Sequence, residues 1–318
     1  MEEILKAYNL NIKHVDRYKT YYLLTTDTNI MALKKVDTHK KNIETAHIIK
    51  TFLLDNGFHQ TDKFLLANHK PYLEYKGDIY IITNLTENTC VNFDNNTSFL
   101  ELIQTVSKMY NNLKKTNLTL EEGPNLNISL KKSLDKISSI KKRVGRKTKL
   151  TDFDIIFLKN YETYLRDIEI SCDLLAGSKY EFFRNKAIND NAVCHNALKK
   201  EHLIHKGGKI YITNFYEANN NYYMWDFATI IKSYAGHNPR PIAIEKIIEA
   251  YSRHIPMDKN EVKILYALLK YPYKFVKISE KYYAKQRSYV PSGMLQSMNK
   301  IIESREGFRG YIKGLNRG

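Results

Sequence analysis

The hydrophobic pattern changes period once along this chain, and that change limits the folds open to it. Up to about residue 85, apolar residues recur in short alternating runs; beyond residue 90 they recur at three- and four-residue spacing. Strand side chains alternate between two faces, whereas a helix returns to the same face every 3.6 residues. A β-rich unit therefore precedes a larger helical one. A doubly wound sheet fits poorly, because its strands and helices alternate throughout.

Individual elements can be read within that pattern. Tyr21-Tyr22-Leu23-Leu24 runs into a polar turn at Thr25 to Asn29, and Ile30 to Val36 returns as the second arm of a hairpin. Ile30, Ala32, Lys34 and Val36 share one face of that arm. Ile43, Ala46, Ile49 and Leu53 predict a helix over roughly 39–55, ended by Asn56-Gly57. Residues 72–75 and 78–83 read as a second hairpin around Lys76-Gly77. Ser98-Phe99-Leu100-Glu101 predicts a capping box opening a helix to about Leu113. Leu130, Leu134, Ile137, Ile140 and Val144 form one helical stripe, and residues 156–175 form another behind a Thr151 cap. Short strand-like pieces near 202–205 and 209–213 flank Gly207-Gly208. Helices at 242–253, at 259–270 behind an Asp258 cap, and at 293–304 complete the chain. The order of strands, one helix, two more strands and then helices predicts an α+β, protein-kinase-like bilobal fold. Its small β-rich N-lobe would span 1–88 and its larger helical C-lobe 89–318.

At 318 residues and 43% hydrophobic content the chain can bury a sizeable core. It contains no apolar window of about 18 residues, so no membrane span is expected. Met1 to Lys6 has neither a basic n-region nor an apolar h-region, so no secretion signal is expected. Cys90, Cys172 and Cys194 are far apart, which suits reduced thiols and has no zinc spacing. The formal charge is +16. Abundant Lys, Ile, Asn and Tyr are what AT-rich coding supplies, so part of that charge needs no functional cause. The densest run is Lys131-Lys132, Lys136, Lys141-Lys142-Arg143, Arg146-Lys147 and Lys149, opposed only by Asp135. It reads either as a solvated surface or as a site for an acidic partner. The run carries an apolar helical stripe and has no RNA-type stacking motif or helix-turn-helix signature, which argues against nucleic acid.

Phosphoryl transfer needs a clamped nucleotide, magnesium, and a carboxylate that orients the attacking hydroxyl. Met31 to Val36 fits a lysine strand, with Lys34 placed for phosphates and Glu44 on the next helix as its candidate partner. Cys194-His195-Asn196-Ala197-Leu198-Lys199-Lys200-Glu201-His202-Leu203-Ile204 resembles the catalytic loop of the CotS-type spore coat protein family. That family is related to aminoglycoside phosphotransferases and choline kinases, and its loops read roughly Cys-His-x-Asp-Tyr-x-x-x-Asn-Ile-Leu. Ile210 to Ala218 resembles the family's Ile-Asp-Phe-Asp metal strand, and Tyr223 to Ala228 its Tyr-Asp-Leu-Ala helix start. The resemblance extends over nearly the whole chain and is sharpest from about 165 to 305.

The departures from that pattern set the functional expectation. Ala197 stands at the family's catalytic Asp, His202 at the metal-binding Asn, and Asn214 at the metal-binding Asp; Tyr216 replaces a second acid. His195 and Asp226 match, and the resemblance gives them the scaffold roles of holding the loop and its backbone. The resemblance with these losses implies a catalytically inactive pseudokinase, made in the mother-cell cytoplasm and built into the endospore coat. Its partners would be other coat proteins, with no metal and no bound cofactor, and Lys34 and Glu44 would mark a vestigial nucleotide site. The alternative is an ATP- and magnesium-dependent small-molecule phosphotransferase of the aminoglycoside or choline kinase type. In that case Glu201, beside His202, or Glu217, three residues after Asn214, would have to restore metal binding.

Overall fold

The computed structural model describes residues 2–18, 20–86, 89–285 and 289–317. In chain order the elements are α1 (Glu2–Lys6), β1 (His14–Tyr18), β2 (Tyr21–Thr25), β3 (Ile30–Val36), α2 (Lys40–Asp55), β4 (Phe64–Leu65), β5 (Leu73–Tyr75) and β6 (Asp78–Thr83). There follow α3 (Asn96–Leu113), α4 (Leu126–Val144), α5 (Asp152–Ala176), α6 (Tyr180–Asn189), β7 (Val193–Cys194), β8 (Leu203–Lys206), β9 (Lys209–Ile212) and β10 (Asn219–Asn220). The chain closes with α7 (Met224–Ala235), α8 (Ile244–Ser252), α9 (Lys259–Lys270), α10 (Tyr273–Tyr283) and α11 (Ser292–Ile312). Among the described residues no helix is long and apolar enough to cross a membrane.

Contacts divide the chain into two compact units. The first holds Met1–Glu122, Ala187–Asp226 and Ala250–Ile255; the second holds Gly123–Lys186, Phe227–Glu249 and Pro256–Gly318. The boundary expected after residue 88 falls on a residue outside the described set.

In the first unit, six strands form one antiparallel sheet in the order β1-β2-β3-β6-β4, with β5 also paired to β6. The β2–β3 and β5–β6 hairpins are those the alternation predicts, with Tyr22 opposite Leu33 and Tyr75 opposite Asp78. Lys76 and Gly77 both take positive φ in the second turn, the geometry of a tight two-residue hairpin. Leu24, Met31, Leu33 and Ile82 bury one face of the sheet together with Ile4 and Tyr8 from the N-terminal segment. The α2 stripe is buried as predicted. The cap of α3 differs: Asn95 accepts from the Ser98 N–H at 3.0 Å, so Ser98 lies inside the helix. Asn is a strong cap, and with the helix starting at Asn96 the orphan amide to be satisfied is that of Ser98 itself.

In the second unit, α4 and α5 pack through the predicted stripes, with Leu130, Ile137, Ile140 and Val144 buried and Leu134 half-buried. Thr151–Asp154 and Asp258–Glu261 both form full capping boxes. Stacked aromatic rings join α5 to α10: Phe153 with Tyr282, Phe157 with Phe275, and Tyr164 with Phe275 at 3.9 Å between centroids. Helix α11 runs to Ile312, well beyond the expected 304. Only Met298 and Ile312 of it are fully buried, so no apolar stripe marks its length.

Candidate functional site

The site belongs wholly to the first unit. Cys194 on β7 pairs with Asn219 on β10, which fixes where the loop after β7 begins. His195 is fully buried. Its Nε2 lies 2.8 Å from the Thr213 carbonyl, and its Nδ1 accepts from the Ala197 N–H at 3.2 Å. A carbonyl can only accept, so the proton sits on Nε2. Burial pushes the ring's pKa down to about 3, which keeps it in the neutral form these two bonds need. Asp226, in the first turn of α7, accepts from the backbone N–H of His195 at 3.0 Å and of Asn196 at 2.9 Å, and from the Tyr110 hydroxyl. Burial raises its pKa to about 6, against the lowering pull of those three donors. His195 and Asp226 are thus both hydrogen-bonded to the backbone of the loop.

The three altered positions are joined to one another. Ala197 is buried and offers only a methyl group. Its carbonyl accepts from His202 Nδ1 at 2.7 Å. That bond places the His202 proton on Nδ1 and leaves Nε2 an acceptor. Asn214 Nδ2 lies 2.6 Å from Nε2 and donates to it. The backbone N–H and hydroxyl of Thr213 both donate to the His202 carbonyl, at 3.0 and 3.1 Å. Asn196 and Asn214 both take left-handed φ, +59° and +63°, a conformation Asn tolerates better than most residues. Asn196 Nδ2 in turn donates to the Glu217 carbonyl at 3.0 Å.

This donor set does not fit magnesium. The ion favours oxygen ligands in near-octahedral array, but the His202 lone pair is taken by an amide and Ala197 has no oxygen in its side chain. Glu201 and Glu217 are exposed. Among the described residues no three His, Cys, Asp or Glu side chains gather to hold a metal.

Lys34 and Glu44 are not brought together. Glu44 lies off the buried stripe of α2, on its exposed side, and accepts from the Tyr72 hydroxyl at 3.0 Å. The helix directs Lys50 inward instead. Lys50 is 2% exposed, sits 2.7 Å from the buried Asp62 carboxylate, and lies 3.8 Å from the centre of the Phe64 ring. Lys34 is half-buried, with Nζ 5.6 Å from the Tyr21 ring centre. Burial lowers its pKa, and the nearby Asp62 charge opposes that shift. Tyr216 faces the same carboxylate; burial first and then Asp62 raise its pKa. Asp62 is held there because the Ile212 N–H donates to the Gln60 carbonyl at 2.9 Å and Thr61 bridges to Ile212. The sequence reading missed Lys50 and Asp62. The available signal was a lysine in register with Ile43, Ala46 and Leu53 on an otherwise apolar stripe.

Comparison with known proteins places this geometry. Residues 1–314 match the family described as "Spore coat putative kinase YutH", and the chain belongs to that family. Among curated proteins there is no match. An aminoglycoside phosphotransferase from Alicyclobacillus acidocaldarius superposes with a TM-score of 0.87 at 14% identity, covering 100% of this chain and 95% of that one. Spectinomycin phosphotransferase APH(9)-Ia, solved with ADP and spectinomycin, gives 0.65 at 15% identity over 95% and 92% of the two chains. Choline kinase LicA from Streptococcus pneumoniae gives 0.54 at 15% identity over 98% and 99%. At such identities the likeness shows the fold, which is the kinase-like α+β fold the element order predicts.

Proposed function

We propose that this member of the spore coat kinase-like family is a catalytically inactive pseudokinase with a structural or assembly role in the endospore coat. The observation that carries the reading is the neutral hydrogen-bonded chain Ala197–His202–Asn214. Phosphoryl transfer is driven by positioning and by charges aimed at the phosphates and the metal. A methyl group cannot orient a hydroxyl, and an imidazole whose lone pair already accepts from an amide has none for a cation. The residues that match the family, His195 and Asp226, are spent on holding the loop, a task that needs no nucleotide. The coat role rests on family membership, which also suggests synthesis in the mother cell and other coat proteins as partners.

A second reading, an ATP-dependent small-molecule phosphotransferase, draws on the half-buried Lys34 and on the phosphotransferase names of the structural neighbours. Isothermal titration with ATP, with and without magnesium, separates the two. The pseudokinase reading expects no magnesium-dependent heat and no ATP turnover. Magnesium-dependent phosphotransfer that is lost in Lys34→Ala would overturn it in favour of the enzyme.

A further inference from the structure

The basic run from Lys131 to Lys149 folds as the exposed side of α4 and the turn after it. Packing divides its cations into two sets. One set serves the fold: Lys136 reaches Glu280 at 3.5 Å, Lys141 reaches Glu162 at 3.8 Å, Arg143 donates to the Tyr283 carbonyl at 3.0 Å, and Lys147 pairs with the buried Asp154 at 2.8 Å. The other set is Lys131, Lys132, Lys142, Arg146 and Lys149. These are exposed, and their side chains make no ion pair or hydrogen bond with another described residue. The helix dipole favours cations in the last turn, at Lys141 to Arg143. It gives no reason for Lys131 and Lys132 in the second turn, or for Arg146 and Lys149 beyond the end. Like charges left together on one face repel, so the fold gains nothing from this second set.

The arrangement specifies a partner. Helical spacing puts Ile128, Lys131, Lys132, Asp135, Ser139 and Lys142 on the face opposite buried Ile137 and Val144. The unpaired cations fall into two groups, Lys131 with Lys132 and Lys142 with Arg146 and Lys149, with Asp135 and Ser139 between them. At 1.5 Å per residue the groups begin about 15 Å apart. An extended peptide covers that distance in about five residues. Exposed aliphatic side chains flank the run in sequence: Ile128 (54% exposed) before it, Leu150 (40%) and Ile155 (52%) after it. A nucleic-acid backbone would set phosphates against Asp135 in the gap, and nucleic-acid grooves use aromatic side chains for base stacking rather than aliphatic ones.

We propose that the exposed face of α4 docks an acidic segment of a partner protein, with two carboxylate clusters about five residues apart and aliphatic residues between them. This deepens the coat-scaffold reading by giving the partner's chemistry, and it rests on that reading only for the partner being another coat protein.

The test is fluorescence anisotropy with the full chain and a labelled ten-residue peptide carrying two glutamate pairs five residues apart, with leucines between. The variant Lys131→Glu/Lys142→Glu/Arg146→Glu should weaken binding at least tenfold. The control Lys70→Glu/Lys209→Glu/Lys300→Glu changes net charge equally on exposed sites elsewhere and should alter it less than twofold. All six positions are exposed, and unchanged circular dichroism and melting would confirm folding. Equal weakening by both variants overturns the proposal, as does the absence of wild-type binding up to millimolar peptide. Displacement of the peptide by duplex DNA at lower concentration, lost in the first variant, overturns it in favour of nucleic acid. No nucleotide is present, so a failure of the pseudokinase reading in the ATP titration would leave these outcomes unchanged.

Discussion

Removing the Asp62 carboxylate tests the electrostatics of the site most directly. Lys50 is 2% exposed and its ammonium lies 2.7 Å from Asp62, so the Asp62→Asn variant keeps a buried cation and loses its counter-charge. Breaking a buried pair from one side costs about 3–5 kcal/mol. The Phe64 ring, 3.8 Å from Nζ, remains in place and a desolvated cation–π contact retains about 2 kcal/mol. The expected loss is therefore near the lower limit, about 3 kcal/mol. At about 2.1 cal/mol/K of unfolding entropy per residue, a chain of 318 residues would show a fall in Tm of roughly 4–5 °C. Lys50→Met/Asp62→Leu removes both charges at similar volume and should stay within about 1 kcal/mol of the parent. The pH dependence carries a sign. Burial lowers the Lys50 pKa and Asp62 raises it, so in Asp62→Asn only the lowering remains. The folded variant then binds fewer protons than its unfolded chain, and its stability rises with pH toward the unfolded lysine value of about 10.4. Urea denaturation of the three proteins at pH 6, 7.5 and 9 measures both effects. If the single and double variants lose equally, the cost is one of shape and the charge argument fails. A deficit that does not shrink with rising pH would show that Lys50 is not the group responsible.

Other outcomes follow from the same geometry. Asp226 has its pKa raised to about 6, so the folded protein holds that proton more tightly than the unfolded chain. Its contribution is full below the unfolded value of about 3.9 and is lost as pH rises through about 6. Stability relative to Asp226→Asn should therefore fall between about pH 4 and pH 6.5, and parallel urea midpoints across that range would refute this. Asp154 behaves oppositely. Burial pushes its carboxyl up, but hydrogen bonds from Lys147, Thr151 and Tyr283 outweigh that and hold it below the usual range. Asp154→Asn should cost about 3 kcal/mol at neutral pH, with the deficit closing as acid protonates the parent; a constant deficit down to pH 2 would contradict it. Finally, Ala197→Asp/His202→Asn/Asn214→Asp replaces the neutral chain with two carboxylates and an amide oxygen. It should gain a magnesium-dependent heat of ATP binding that the parent lacks, and no gain would mean that more than these three positions blocks the metal.

The elements legible in the sequence are those whose signal is local. The hairpins at 21–36 and 73–83, the α2, α4 and α5 stripes, and the caps at Thr151 and Asp258 all formed where alternation, spacing or cap chemistry put them. The same logic misassigned the cap of α3, because Asp94 to Ser98 are five cap-capable residues in a row and only the backbone trajectory selects Asn95. It missed the reach of α11, which buries too little to leave a stripe. The Lys34–Glu44 pairing failed for a related reason. Spacing along α2 says which residues share a face but not which face meets β3, and the buried stripe carries Lys50 inward and leaves Glu44 outside.

The sequence by itself determined the change from a strand-rich to a helical unit, though not the short elements α1, β1, β4, α6 and α10, and it determined which side chains stand at positions 197, 202 and 214. Those follow from periodicity and from side-chain chemistry, both of which are local. Only the tertiary structure decided how those residues are used. His202 and Asn214 stand twelve residues apart, yet they meet at 2.6 Å because β8 and β9 pair and the chain turns left-handed at Asn214. Lys50 and Asp62 likewise meet only because the segment after α2 is bonded to β9. A hydrogen bond depends on tenths of an ångström and on which ring nitrogen holds the proton. That information resides in the paired backbones and in no single stretch of residues.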